Sequence, residues 1–396
     1  MKTLFYKIAA IIIAVIMMLP VCLQVFGEEN DPTPPMNALG GAEGSLNLNC
    51  KSAILMEATT GTILYSQNAE EALPPASVTK VMTLLLVMEA IDAGTIRIDD
   101  TVSISANAAS MGGSQVFLKE GEEMSVEDLL KSVVIASAND AAVALAEYVS
   151  GSVESFVAKM NAKASELGMN STKFENVTGL DDTAEHHLTS AKDIALMSCA
   201  LVAHPLVLEY SSIWMDTIRD GAFGLTNTNR LVRFYKGCTG LKTGSTSKAG
   251  FCISATAERD GLSLVCVIMG AESRDIRNAA ATSLLDWGFA NFALFKEDAG
   301  TSQPIQVKGS GVREITGSYP AFSCVVRREE LSKIEKKVTL QSSLTAPMPA
   351  DETIGKVGFY CGERELGSVD ICTESEIKRI GFFEILCHIF AKSLLI

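Results

Sequence analysis

Ser77 and Lys80 stand three residues apart, directly after Pro74-Pro75-Ala76 and at the head of a strongly apolar stretch. In a helix that spacing puts hydroxyl and ammonium on one face. The N–H groups of a first helical turn have no partner within the helix, so they are free to meet a developing oxyanion. Farther along come Ser137-Ala-Asn139 and Lys242-Thr243-Gly244. A serine hydroxyl is a weak nucleophile until a base takes its proton, and a lysine can be that base when burial and a nearby cation depress its pKa. Acyl transfer through a serine ester is the chemistry this set supports. Lys80 is the expected base and Lys242 the nearby cation. Ser137 is the expected proton relay to the departing amine, and Asn139 the expected grip on the substrate backbone.

Each motif is weak alone. The S-x-x-K spacing recurs at Ser245…Lys248 and Ser375…Lys378, and Ser-x-Asn recurs at Ser66-Gln-Asn68 and Ser105-Ala-Asn107. Context selects Ser77, because only it precedes a long apolar helical pattern. Ser137-Ala-Asn139 is preferred because it falls between two amphipathic stretches, where a loop can aim side chains into a cleft. In isolation, Ser77 and Lys80 read as a capping serine and a surface lysine, and Ser137-Ala-Asn139 as an N-cap before Ala141. Lys242-Thr243-Gly244 is the only K-T-G in the chain, and its glycine on a strand is expected to leave room for an extended substrate.

The elements that must position these groups follow from periodicity. Ser52–Glu57 and Thr62–Tyr65 flank Ala58-Thr-Thr-Gly61 as a hairpin. Val78–Ile91 is apolar on nearly all sides and predicts a helix buried in the middle of a domain. Amphipathic helices are expected at Val126–Ala136, Ala141–Tyr148 and Val153–Leu167. Strands return at Gly240–Thr243, Phe251–Ala257 and Leu262–Met269, the last two joined by a tight turn at Arg259-Asp260-Gly261, and a helix follows near Arg277–Phe289. Strands, then helices, then strands predict an α+β fold, an antiparallel sheet with helices packed against it. Beyond about residue 300, short alternating stretches such as Phe322–Val326, Lys337–Leu340 and Lys356–Tyr360 predict a small all-β domain.

Composition narrows the class. The chain has 396 residues, 47% of them hydrophobic, enough for one large domain and a smaller one. Its formal charge of -14, with no basic cluster, argues against a nucleic-acid partner. Lys2 and Lys7, an apolar run from Ile8 to Leu19, and Val25-Phe26-Gly27 ahead of Glu28-Glu29 predict a secretory signal over 1–27. A lipoprotein reading at Cys22 and an uncleaved N-terminal anchor are the alternatives. Residues 28–45 read as a polar Pro/Gly linker, 46–298 as the catalytic domain, 299–372 as the β domain and 373–396 as an amphipathic membrane-anchoring helix. In that last segment Ile377, Ile380, Phe382, Phe383, Leu386, Ile389, Phe390 and Leu394 mix with charges that a spanning helix would have to immerse. A terminal helix docked on the β domain is the alternative. Ten scattered cysteines without C-x-x-C spacing do not form a disulfide framework. Glu185-His186-His187 lacks metal-site spacing, and there is no G-x-G-x-x-G or P-loop, so neither metal nor organic cofactor is expected.

Taken together and in order, the three motifs are a known signature of β-lactamases and penicillin-binding proteins. The chain resembles the penicillin-binding D-alanyl-D-alanine carboxypeptidases of low molecular mass, peptidase family S11, close to the sporulation-associated branch in Gram-positive bacteria. The likeness spans roughly residues 46 to 396 and includes Gly112-Gly113-Ser114, Ser137–Ala142, Met160-Asn161, Gly179-Leu180-Asp181, Gly240–Thr246, Ala249-Gly250-Phe251 and Leu284–Phe289. It implies a β-lactamase/DD-peptidase-like fold and an acyl-enzyme on Ser77. It implies removal of the terminal D-alanine from peptidoglycan stem pentapeptides, acylation by β-lactams as covalent inhibitors, and a place on the outer face of the cytoplasmic membrane, attached through the C-terminal helix. The resemblance also puts Thr243 and Arg277 at the substrate carboxylate and pairs the Ser77 and Ser245 N–H groups as an oxyanion hole. Arg277 as a helix-surface salt-bridge residue is the alternative. A serine β-lactamase is the nearest rival, and its deacylation motif has an echo in Glu166…Asn170. That pair sits too close to Ser137 and in a helix running into Gly168, so it reads as structural. Transpeptidation or endopeptidase action on the same peptides, and an idle wall-binding scaffold, are the other readings.

Overall fold

The computed structural model describes residues 46–181 and 184–393. The expected signal and linker, residues 1–45, lie outside the described residues.

β1 (Ser52–Glu57) and β2 (Ile63–Gln67) form the expected hairpin. A 3-10 turn, Ala76–Thr79, leads into α1 (Lys80–Asp92), buried from Lys80 through Met88. Its apolar residues face every direction because it runs through the middle of the core, as the pattern predicted. β3 (Thr101–Ser103), α2 (Ala106–Ala109) and β4 (Glu123–Ser125) carry the chain to the longer helices. These are α3 (Val126–Ala136), α4 (Asn139–Ser150) and α5 (Val153–Glu166). Ser125 and Ser152 start α3 and α5 by accepting from Asp128 N–H and Ser155 N–H.

The sequence pattern missed α6 (Ala191–Val202), α7 (Pro205–Ser211) and the hairpin β5 (Met215–Ile218) and β6 (Phe223–Thr226). A short α8 (Leu231–Phe234) leads to β7 (Cys238–Thr246), β8 (Gly250–Arg259) and β9 (Leu262–Ala271). Asp260 and Gly261, both at positive φ, turn β8 into β9. α9 (Arg274–Asn291) follows. The sheet runs β2-β1-β9-β8-β7, every pair antiparallel, so the expected α+β architecture stands. Because side chains alternate along a strand, Ile54 and Met56 join the core around α1, while Ala53 and Leu55 join a second core under α9.

The β-rich region starts with β10 (Phe292–Glu297), before residue 299, and β10 pairs antiparallel with residues 322–327. β11 (Gly300–Thr301), β12 (Ile305–Lys308), β13 (Glu314–Ile315), β14 (Gly317–Tyr319), β15 (Phe322–Arg327), β16 (Ile334–Leu340), β17 (Leu344–Thr345), β18 (Thr353–Cys361) and β19 (Arg364–Thr373) complete it. Its own core centres on Ile354, Val357, Phe359 and Ile371.

The terminal helix, α10, spans Phe382–Ser393 rather than starting at 373. Thr373 ends β19, and Ile377 bridges Met348 and is buried in the β-region core. Backbone bridges at Ile377 and Arg379, with Thr373 closing β19, thus hold the first part of the expected helix in extended, irregular chain.

Candidate active site

Ser77 sits in the 3-10 turn, one turn ahead of α1 rather than within it, and Lys80 still reaches back: its Nζ lies 3.1 Å from Ser77 Oγ. Lys80 is fully buried, with Nζ also 2.6 Å from Asn139 Oδ1 and 2.8 Å from the Thr178 carbonyl. All three partners are uncharged. Burial, and then the charge of Lys242, push the Lys80 pKa well below its ordinary value, against a smaller opposing pull from Asp140. A neutral amine has two N–H bonds and one lone pair. Asn139 and Thr178 can take the two hydrogens, leaving the lone pair for the Ser77 hydroxyl.

Ser137 ends α3 in the left-handed region at φ 65°, which turns the chain sharply into α4. Asn139 is the first residue of that helix, not part of a loop. Its amide donates to the Gly112 carbonyl at 2.7 Å and its backbone N–H to the Ser114 carbonyl at 2.7 Å. Asp140 accepts from Val116 N–H and Leu118 N–H, so the head of α4 also holds the 112–118 loop. Sequence reasoning gave Asp140 no task.

From the sheet side, Lys242 is fully buried with Nζ on the Thr243 carbonyl at 2.9 Å. Burial, then the Arg277 charge, bring its pKa down to about 7. Thr243 Oγ1 donates to Thr228 Oγ1 at 2.9 Å. Gly244 corrects one expectation. A Cβ there would lie 2.8 Å from Ser77 N and 2.9 Å from the Pro75 carbonyl oxygen and Val78 N. The missing side chain makes room for the protein's own nucleophile turn, not for substrate.

A cavity of about 670 Å³ joins Ser77, Ser114, Ser137, Thr243, Gly244, Ser245 and Arg277. Lys80, Asn139 and Lys242 are buried. Arg277 is buried as well, donating to Asn278 Oδ1 and the Cys252 carbonyl, and among the described residues it has no ion pair. Burial and neighbouring Arg274 lower its pKa to about 10. The surface salt-bridge reading of Arg277 therefore fails. No motif pointed to Trp214, Arg230, Phe234 and Arg274, which also line the cavity. Glu166 pairs with Lys163 at 2.7 Å at the end of α5, and neither it nor Asn170 lines the cavity.

A serine, a buried amine in contact with it, and a strand carrying a second buried amine beside one cavity define an acyl-transferring serine hydrolase of the S-x-x-K class. The D-alanyl-D-alanine carboxypeptidase family profile matches residues 40–273, and that of the penicillin-binding protein 5 C-terminal domain matches 295–379. The chain belongs to this carboxypeptidase family and is a serine D-Ala-D-Ala carboxypeptidase. It is 39% identical to D-alanyl-D-alanine carboxypeptidase DacF of Bacillus subtilis over 88% of this chain and 90% of that one. Penicillin-binding protein 5 from Haemophilus influenzae superposes with a TM-score of 0.73 at 28% identity, covering 84% of this chain and 99% of that one. Penicillin-binding protein D2 from Listeria monocytogenes in its ampicillin-bound form gives 0.57 at 33% identity, covering 62% and 99%.

Proposed function

We propose that Ser77 attacks the carbonyl carbon of the penultimate D-alanine in a peptidoglycan stem pentapeptide while Lys80, as a neutral amine, takes its proton. The carbonyl oxygen becomes an oxyanion held by the backbone N–H groups of Ser77 and Ser245. Thr243 and Arg277 receive the terminal carboxylate with the charge of buried Lys242 behind them, and Asn139, buried with its amide held between Lys80 and the Gly112 carbonyl, orients the Lys80 amine rather than gripping the peptide as expected. As the C–N bond breaks, the proton taken by Lys80 returns through the Ser137 hydroxyl to the leaving nitrogen of the terminal D-alanine, and Lys80 is neutral again. Water then hydrolyses the Ser77 ester. A β-lactam enters by the same attack and stays bound as the acyl-enzyme.

The observation that carries this reading is the 3.1 Å contact of Lys80 Nζ with Ser77 Oγ, backed only by uncharged partners. The position of Glu166 outside the cavity argues against a β-lactamase route to deacylation. Labelling with a fluorescent penicillin, followed over time and mapped by mass spectrometry, tests it. A durable adduct on Ser77, absent in Ser77→Ala, is expected. An adduct on Ser137 or Ser245, or rapid loss of label, overturns the assignment. Release of D-alanine from a stem pentapeptide, compared with release from cross-linked dimers, defines the preferred substrate.

The family works on the cell wall, and we propose that residues 1–27 direct export and 28–45 act as a linker. Residues 46–291 form the catalytic domain, shorter than the expected 46–298 because β10 already pairs with β15 of the β-rich region. The β-rich region stands between it and the membrane surface, where α10 lies in the interface. Among the described residues no single helix is long and apolar enough to cross a membrane. α10 nonetheless exposes Phe382, Phe383, Ile389 and Phe390, the apolar face that an interfacial helix requires.

A further inference from the structure

Thr79 lies inside the S-x-x-K motif, yet the acyl-transfer steps above give it no task. Its buried hydroxyl donates to the Ala76 carbonyl at 2.9 Å, a local back-bond that threonine often makes. On its other side stands His187 Nε2, at 2.7 Å and 108 residues away in sequence. Glu175 N–H lies on His187 Nδ1 at 3.0 Å. A backbone N–H can only donate, so Nδ1 carries the lone pair and Nε2 the hydrogen. The direction of the whole chain follows: Glu175 N–H to His187, His187 Nε2–H to Thr79, and Thr79 O–H to the Ala76 oxygen. Burial keeps the ring neutral, with its pKa near 4 against the pull of Glu175 and Asp181, and Phe174 packs edge-on at 5.7 Å.

The chain of bonds ends on the peptide that matters most. The Ala76 carbonyl and the Ser77 N–H belong to one planar peptide unit, so fixing the oxygen fixes the direction of the hydrogen. Ala76 is held at φ 49°, a left-handed conformation that an ordinary residue keeps only where its surroundings impose it. Gly179 closes over the same carbonyl so tightly that a Cβ would stand 1.8 Å from its oxygen.

We propose that His187, acting through Thr79, is a positioning residue for the oxyanion hole: the relay to the Ala76 carbonyl aims the Ser77 N–H at the charge that develops during acylation. The inference rests on the role given above to the Ser77 N–H.

Stopped-flow acylation of the full chain by a penicillin, resolved into non-covalent binding and the acylation step, tests it. His187→Leu and Thr79→Val should each slow acylation by about ten- to a hundred-fold, less than outright loss of an oxyanion donor, with binding changed by about two-fold or less. His187→Gln offers an acceptor to Glu175 and a donor to Thr79, and should recover most of the rate. The double variant should be no slower than the slower single, since both break one chain of bonds. Additive slowing, a loss confined to binding, or a folded Thr79→Val protein acylating at the wild-type rate overturns the proposal. If His187→Leu does not fold, Thr79→Val carries the test. Mass mapping of the wild-type adduct separates the two failures: label away from Ser77 removes the nucleophile assignment, whereas label on Ser77 with unaltered Thr79→Val kinetics removes only the relay.

Discussion

The catalytic region and the β-rich region bury different things. Before residue 292 the buried set includes Glu57, Lys80, Asp140, Asp193, Lys242 and Arg277; after it, the described buried polar residues are only Ser302 and Thr373. Removing an ionisable group from water carries an effective penalty of several kcal/mol, and a region that only has to hold itself together avoids it. Neither Lys80 nor Lys242 has an ion-pair partner among the described residues; their hydrogen bonds go to neutral oxygens. The catalytic region gives up stability to hold an amine free of its proton.

Lys80→Arg should have the largest effect. Arginine does not lose its proton, so it would stand charged where the lysine acts neutral, and acylation should fall by about a hundred- to ten-thousand-fold. Penicillin labelling kinetics at near wild-type rate would mean that another group activates Ser77. Gly244→Ala should come next. The added methyl must displace the Ser77 backbone, and acylation should drop about ten- to a hundred-fold; an unchanged rate would show that β7 and the nucleophile turn separate freely.

Lys242 offers a test through pH. Its folded pKa of about 7 lies below the ordinary 10.5, so between those values the unfolded chain binds more protons than the folded one. Stability should therefore rise with pH across that window and be lost as pH falls through about 7. Lys242→Met removes this term. The variant should melt above wild type near pH 7, with the gap closing toward pH 10; a gap constant with pH would contradict the assignment. The smallest effect belongs to the C-terminus. Deleting 382–396 should release the protein from the membrane fraction and leave acylation and melting unchanged, whereas cutting at 373 also removes buried Ile377 and should lower the melting temperature. Retention of the shorter deletion in the membrane would end the interfacial reading of α10.

Much of this was legible in the residues because local pattern and tertiary burial agree. α1 announced itself by apolar residues on all sides, and the β1–β2 and β8–β9 hairpins by alternation around turn residues. The motif serines and lysines were found through spacing and context. Groups that reach the site from distant elements were not. His187 sits beside Thr79 only because Val177 and Thr178 dock on α1 and Leu188 bridges back to Lys173, and Arg230, just ahead of α8, and Arg274, the first residue of α9, stand on elements that no spacing rule connects. Gly244 was noticed for the wrong reason, since sequence does not reveal which neighbour a missing side chain admits. The start of α10 was misplaced because Ile377 fits a helical apolar stripe as well as it fits the bridge to Met348.

β7 lies at the open margin of the five-stranded sheet. A bare margin of this kind is a template on which other chains can stack. Here the Thr239 carbonyl accepts from Ser211, the Gly240 carbonyl accepts from Asn229 Nδ2 at 2.8 Å, and the Pro75–Val78 backbone crowds Gly244. The margin is thus blunted where it leaves the cleft and guarded where it enters. An enzyme that must stay dispersed in a crowded envelope gains, from the packing that holds its nucleophile, protection against strand-to-strand clumping.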